Sequence, residues 1–162
     1  MAKSDDFAIE LHGIDELIHL LNVAEKDIDR IVQEELSKFG KHVESVTKKL
    51  VHQDEGNLSD SINFDNAYKE GNSYIVSGGS NLPYALRRHE EPYRPGVHDK
   101  YLHGRHYPDY YVDGRGRGTR YKANYKGYEP GRKYLENAVK ATESDYDILT
   151  ERIINRILGE NS

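Results

Sequence analysis

Residues 27–50 read DIDRIVQEELSKFGKHVESVTKKL. Within them Ile28, Ile31, Val32, Leu36, Phe39, Val43, Val46 and Leu50 recur at steps of three and four. That spacing keeps one apolar stripe in register along an α-helix. At 1.5 Å per residue the helix is roughly 35 Å long. The intervening positions are mostly Glu, Lys, Asp and Gln, so one face lies on a core and the others meet water. A second helix of this kind is predicted over Arg132 to Leu158, where Leu135, Ala138, Val139, Thr142, Tyr146, Leu149, Ile153 and Ile157 form the apolar face.

Shorter elements surround these two. Phe7-Ala8-Ile9-Glu10-Leu11 alternates as a strand with one buried face does. Gly13 breaks the chain, and Asp15 to Asn22 reads as a short helix with Ile14, Leu17, Ile18 and Leu21 on one side. His52 to Asn57 ends the long helix with turn chemistry, since Gly56 and Asn57 accept left-handed backbone angles cheaply. A strand is expected from Ser61. Tyr68 to Tyr74 reads as a hairpin turn with Gly71-Asn72 at its tip, and Tyr74-Ile75-Val76-Ser77 pairs back on the preceding strand. Gly78 to Asn81 is a loop, Pro83 opens a short helix to Glu91, and Pro92 ends it. The predicted fold is α+β: one domain over 1–162, two long amphipathic helices on a small antiparallel sheet.

The 36% of hydrophobic residues supply one modest core, whereas 31% are charged. Cysteine is absent, which excludes disulfides and thiolate metal sites. No apolar run approaches the roughly 20 residues that span a bilayer. Met1 to Asp6 lacks the apolar core of a signal peptide, so a soluble, non-exported protein with no membrane partner is expected.

Residues 87–133 differ from the rest. They hold 12 Lys and Arg against 6 Asp and Glu, a net of +6 in a chain of −5, so the remainder carries −11. They also hold 8 of the 13 tyrosines and 7 of the 14 glycines. The segment 87–129 reads as an extended Tyr/Arg/Gly-rich loop before the last helix, too long for a plain connector. Gly114-Arg115-Gly116-Arg117-Gly118-Thr119-Arg120 has no apolar residue to bury and is expected to be mobile in isolation. The candidate contact residues are Arg87, Arg88, Arg94, Arg105, Tyr110, Tyr111, Arg115, Arg117, Arg120, Tyr121, Tyr125 and Tyr128. Three readings stand. Arginine forks and tyrosine anchors suit an acidic neighbour, including another copy of this chain. Cations alternating with aromatic faces suit single-stranded nucleic acid. A solvated insertion needs no partner. The acidic helix positions Asp27, Asp29, Glu34, Glu35, Glu143, Asp145 and Asp147, taken as exposed, favour head-to-tail contact between copies.

Catalytic patterns are nearly absent. There is no Cys nucleophile and no G-x-S-x-G elbow, and Gly78-Gly79-Ser80 lacks the Lys of a phosphate-binding loop. His89-Glu90-Glu91 is mere adjacency. His98, Asp99, His103 and His106 have zinc-compatible donors but match no metal-ligand spacing. No enzyme activity, cofactor or metal is expected.

The order of segments resembles that of the tail-completion, or neck, proteins of bacteriophages with long non-contractile tails, also described as head–tail joining or minor capsid proteins. Ile9 to Asn22 is similar to their opening strand and turn. Asp54-Glu55-Gly56-Asn57-Leu58-Ser59-Asp60-Ser61-Ile62 resembles their D-T-G-N-L-R-x-S-I motif, with Glu55 in place of a small residue. Val76 to Ala85 resembles their strand, glycine and N-x-P-x-Y-A run. Pro130 to Ala138 is similar to P-x-R-x-F/Y-L-x-x-A, the start of their final helix. The long 87–129 segment departs from the family, whose loop here is short. The resemblance implies a non-enzymatic virion protein of the neck, assembled in the bacterial cytoplasm. It implies a homo-oligomer, a hexameric ring, joined to other neck, connector and tail proteins. Genomic DNA passes through its lumen without sequence-specific binding.

Overall fold

The computed structural model describes residues 7–14 and 25–159. The helix expected over Asp15 to Asn22 lies outside them. The elements are β1 (Phe7–Leu11), α1 (Glu25–Leu50), α2 (Asn57–Ser61), β2 (Asn63–Phe64), β3 (Tyr68–Glu70), β4 (Ser73–Gly79), α3 (Ala85–Glu90), β5 (Val97–Leu102), β6 (Arg105–Val112), β7 (Arg115–Gly116), α4 (Arg117–Arg120) and α5 (Tyr134–Ile157). The fold is α+β, as the periodicities predict.

Strand β4 is the centre of the first sheet. It pairs antiparallel with β1 on one side (Ile9 opposite Val76) and with β2 and β3 on the other (Phe64 opposite Gly78, Tyr68 opposite Ile75). The β3–β4 turn is the expected one, with Gly71 at φ 57°. Helix α1 lies on the sheet face that carries Tyr74 and Val76. Its Gly40 permits this approach: a Cβ there would come within 2.6 Å of a Val76 methyl. Gly78 sits under the Phe64 ring, where a Cβ would be 2.2 Å from ring carbons.

Helix α5 packs antiparallel to α1, as their contacts show. Glu34 and Glu35 meet Arg156, Phe39 meets Tyr146 edge-on at 5.8 Å, and His42 meets Asp145 at 2.9 Å. The stripe Ile28, Val32, Leu36, Val43, Val46 and Leu50 is buried against Phe64, Tyr74, Val76, Ala138, Leu149 and Ile153. Each such side chain contributes on the order of 1.5–3 kcal/mol on leaving water.

Three expectations are corrected. Ser61 closes helix α2 rather than opening a strand, because Ser59 O accepts the Ile62 N–H and Ser61 Oγ bonds Leu58 O at 2.7 Å. Glu35, expected on an exposed acidic face, is 1% exposed. Burial opposes its ionisation, but Lys38, Arg156 and Arg152 outweigh this and hold its carboxyl below the usual range. The third concerns 87–129, which is folded. β5, β6 and β7 form a second antiparallel sheet, and α4 follows. Two X-Gly pairs make it possible: His103-Gly104 at φ 50° and 73°, and Asp113-Gly114 at φ 46° and 77°. Positive φ at both central residues is what tight hairpin turns need. A register shift between His98 and Lys100 takes up Pro108 and Asp109 as a bulge. Gly116 and Thr119 of the supposedly mobile stretch are buried.

Glu44 ties α1 to β2. Its carboxylate accepts the Phe64 N–H at 2.8 Å and ammonium protons from Lys48 at 2.8 Å and Lys41 at 2.9 Å. Burial opposes ionisation, yet these three donors hold the group down at about 2, from 4.5. A depressed carboxyl contributes its full stability above the unfolded value and loses it as pH falls through that window. Glu44→Gln is therefore expected to unfold at lower urea than the parent at neutral pH. The difference should shrink as the pH falls from 4.5 toward 2 in urea titrations followed by circular dichroism.

Candidate interface built on the basic segment

The end of an α-helix leaves its last carbonyls without partners. At the end of α1 the basic segment supplies them. Lys122 Nζ donates to Lys48 O at 2.8 Å and Val51 O at 2.7 Å. The Gly131 N–H donates to Leu50 O at 2.7 Å. Thr119 Oγ1 accepts the Gln53 N–H at 2.9 Å and donates to Gln53 O at 3.3 Å. Burial pushes the Lys122 ammonium down to about 8, so it remains largely charged at neutral pH against carbonyl dipoles.

The hairpin β5–β6 is tied to the same place by Asp54, just beyond the helix. Asp54 Oδ1 receives the nearly buried Lys100 ammonium and the Tyr110 hydroxyl, the latter at 2.8 Å. Lys100 also lies 4.8 Å from the Tyr110 ring centroid. Burial and then Asp54 push the Tyr110 phenol up to about 12. His103 at the tip is 3.7 Å from Glu55 and otherwise faces water.

These contacts sort the predicted contact residues. Tyr110 and Tyr111 pack edge-on at 4.9 Å within the second sheet. Arg117 donates to Pro108 O at 3.2 Å and Arg120 to Tyr110 O at 3.3 Å. Arg115 reaches Glu129 at 3.4 Å, with its Nε buried and without a partner among the described residues. Tyr125 and Tyr128 bridge one another through their backbones and lean on the core. Arg87 meets Glu91 at 3.6 Å. Arg88, Arg94 and Arg105 have no ion-pair partner among the described residues, and Tyr121 is 83% exposed. The last four are thus the candidates still available to an outside partner. The segment's lysines are also engaged: Lys126 with Asp145 at 3.1 Å and Lys133 with Glu90 at 2.5 Å.

Helix acids are likewise spoken for. Asp29 is bonded by Tyr74 and Lys69, Glu34 by Arg30 and Arg156, and Asp145 by His42 and Lys126. Asp27, at the start of α1, and the pair Glu143 and Asp147 on α5 are exposed and without an ion-pair partner among the described residues, and the α5 pair has an apolar surface beside it. Glu143 and Asp147 line a groove of about 1090 Å³ walled by Phe7, Ile9, Phe39, Val43, Val139 and Tyr146. The sequence reading missed this groove, because its walls come from three elements far apart in the chain. It also missed Tyr101, which lies 74% exposed on β5.

The described histidines of the predicted set, His98, His103 and His106, do not converge. His98 Nε2 meets Pro95 O at 2.8 Å, and His106 Nε2 meets Asp99 at 2.7 Å. The described residues hold no group of three or more His, Asp or Glu placed to bind a metal. His89 Nδ1 does meet Glu90, at 2.7 Å, with its ring edge-on to Tyr134. His52 is 6% exposed, and its Nε2 meets Arg88 O at 3.2 Å. Burial, with Arg88, Arg115 and Lys122 nearby, pushes it down to about 4, so it is neutral at pH 7. No helix among the described residues is long and apolar enough to cross a membrane.

The arrangement is an α+β scaffold with a tethered hairpin at one helix end and an apolar groove along the helix pair. Residues 15–86 match the HK97-gp10-like family model, described as "Bacteriophage HK97-gp10, putative tail-component". The resemblance to phage tail-completion proteins is borne out over those residues, which include α1, α2 and the strands β2, β3 and β4. The match covers less than half of the chain and stops before the second sheet. No curated protein and no solved structure matches the chain.

Removing the Asp54 carboxylate strands the Lys100 ammonium in a nearly buried position. Asp54→Ala is expected to loosen the hairpin by about 1–3 kcal/mol, the cost of an unsatisfied buried polar group. Hydrogen exchange should accelerate at amides of 97–112 and stay unchanged in α1 and α5. Equal acceleration in all three would show that the hairpin is not separately anchored.

Proposed function

We propose that this chain is a non-enzymatic structural protein of a tailed-phage virion, placed at the neck, where it joins the connector of the DNA-filled head to the tail. The observation that carries the reading is the family match over 15–86, which spans the whole of the helix α1 and the central strand β4. The four motifs in family order, running on to Pro130 to Ala138, extend it toward the C-terminus. On this reading the protein works as a homo-oligomeric ring, hexameric in the family's manner, assembled in the host cytoplasm onto other neck and tail components. DNA passes through the lumen without sequence-specific contact. Head-to-tail contacts between unlike surfaces close into rings when the rotation per subunit allows it.

The rival reading, nucleic-acid binding through the Arg/Tyr segment, has less to work with than the composition suggests. Lys100, Lys122, Lys126 and Lys133 are engaged inside the chain, and Tyr125 and Tyr128 pack on the core. Light scattering of the purified protein, beside a gel-shift titration with DNA, separates the two. The neck reading expects a closed oligomer of discrete mass and no retained DNA at physiological salt. A monomer that shifts DNA, with affinity falling steeply as salt rises, would replace it with the rival.

A further inference from the structure

We infer that the edge of β1 that no described strand covers, with the apolar groove beside it, receives the β5–β6 hairpin from a second copy of this chain; the inference rests on the ring reading above. Strand β1 is paired with β4 on one side and with no described strand on the other. An unpaired edge presents a row of backbone donors and acceptors and is a template for a further strand. Here the edge runs beside a groove of about 1090 Å³ walled by Phe7, Ile9, Phe39, Val43, Val139 and Tyr146. An incoming strand would gain backbone hydrogen bonds from the edge and side-chain burial from the groove.

The hairpin offers the matching surface. β5 is the outer strand of the second sheet, paired only with β6 among the described strands. Val97 and Tyr101 lie two steps of the pleat apart and are 55% and 74% exposed. A tyrosine that exposed on an edge strand is the residue type that anchors interfaces. Charge agrees with shape. On the groove's rim Lys126 and Lys140 are neutralised by Asp145 and Glu136, which leaves Glu143 and Asp147 as the rim charges without a partner among the described residues. At the hairpin tip Arg105 is exposed and unpaired among the described residues, beside His103.

The occupant is another copy rather than the chain's own hairpin. The groove lies against Phe39 and Val43 in the middle of α1, whereas Asp54 tethers the hairpin beyond the helix's C-terminal end. Donor and acceptor surfaces differ, so each copy offers one of each. Such contacts are heterologous and propagate from subunit to subunit.

The chain has no cysteine, so introduced pairs are its only thiols. Two doubly substituted full-length proteins, Ala8→Cys with Tyr101→Cys and Glu143→Cys with Arg105→Cys, are oxidised and run on non-reducing gels beside a control, Glu70→Cys with Arg105→Cys, at the opposite sheet edge. Parent mass is measured in parallel, together with the single variant Tyr101→Ser. The inference expects a ladder of covalently joined copies from at least one of the first two pairs and none from the control. It also expects Tyr101→Ser to raise the concentration needed for assembly about tenfold, as the loss of an anchor tyrosine does. An oligomeric parent whose copies join only through the control, or through none of the pairs, overturns this interface and leaves the ring reading standing. A parent that remains monomeric at every concentration overturns both.

Discussion

The C-terminal end of α1 is the constraint on which the second half of the molecule depends. A helix of this length ends in carbonyls that must find donors. Lys122 and Gly131, far along the chain, supply them, and Thr119 closes the adjoining turn on Gln53. Those contacts fix the path of the segment between the hairpin and α5. They also place Asp54 where it can hold Lys100 and Tyr110. The second sheet makes few other attachments to the body, so its position follows from the end of a helix that belongs to the first half.

This arrangement changes what the uneven charge of the chain means. The sequence separates a basic stretch from acidic helices, which suggests two surfaces waiting for partners. In the folded chain many of those charges are taken up internally, by opposite charges or by backbone carbonyls. Glu35 is buried with Arg152 and Arg156, Asp145 takes Lys126, and Asp54 takes Lys100. Such pairs are weak support for stability, but where one member is buried, as Glu35 and Lys100 are, removing its partner strands a buried charge. The charges left without an ion-pair partner among the described residues, Arg88, Arg94 and Arg105 on one side and Asp27, Glu143 and Asp147 on the other, are fewer and lie at defined places. They are a better guide to partners than net charge.

The two long helices were legible because burial on one face writes a 3.6-residue period that survives any surface decoration. The β3–β4 hairpin was legible from Gly71-Asn72. The second sheet was not, although its turns carry the same kind of signal in His103-Gly104 and Asp113-Gly114. Its strands, Val97 to Leu102 and Arg105 to Val112, are half-exposed on both faces, so no apolar alternation marks them. They are held by tyrosines packed edge-on and by Asp54, both contacts that spacing cannot reveal. Glu35 was misread for a related reason: its arginine partners sit on α5, more than a hundred positions away, and helical period alone placed it with its exposed neighbour Glu34. Of the candidate contact residues, Arg88, Arg94 and Arg105 have no ion-pair partner among the described residues, whereas Arg115, Arg117 and Arg120 bond to Glu129, Pro108 O and Tyr110 O, contacts that flanking residues do not announce.

A place at the head–tail junction of the virion is tested most directly by labelling. Particles of the phage encoding this chain, marked with gold-conjugated antibody against it and viewed by electron microscopy, should carry label at the head–tail junction. Label spread along the tail, or confined to its far tip, would contradict the neck assignment while keeping the protein in the tail. Particles that carry none would contradict its being a virion component.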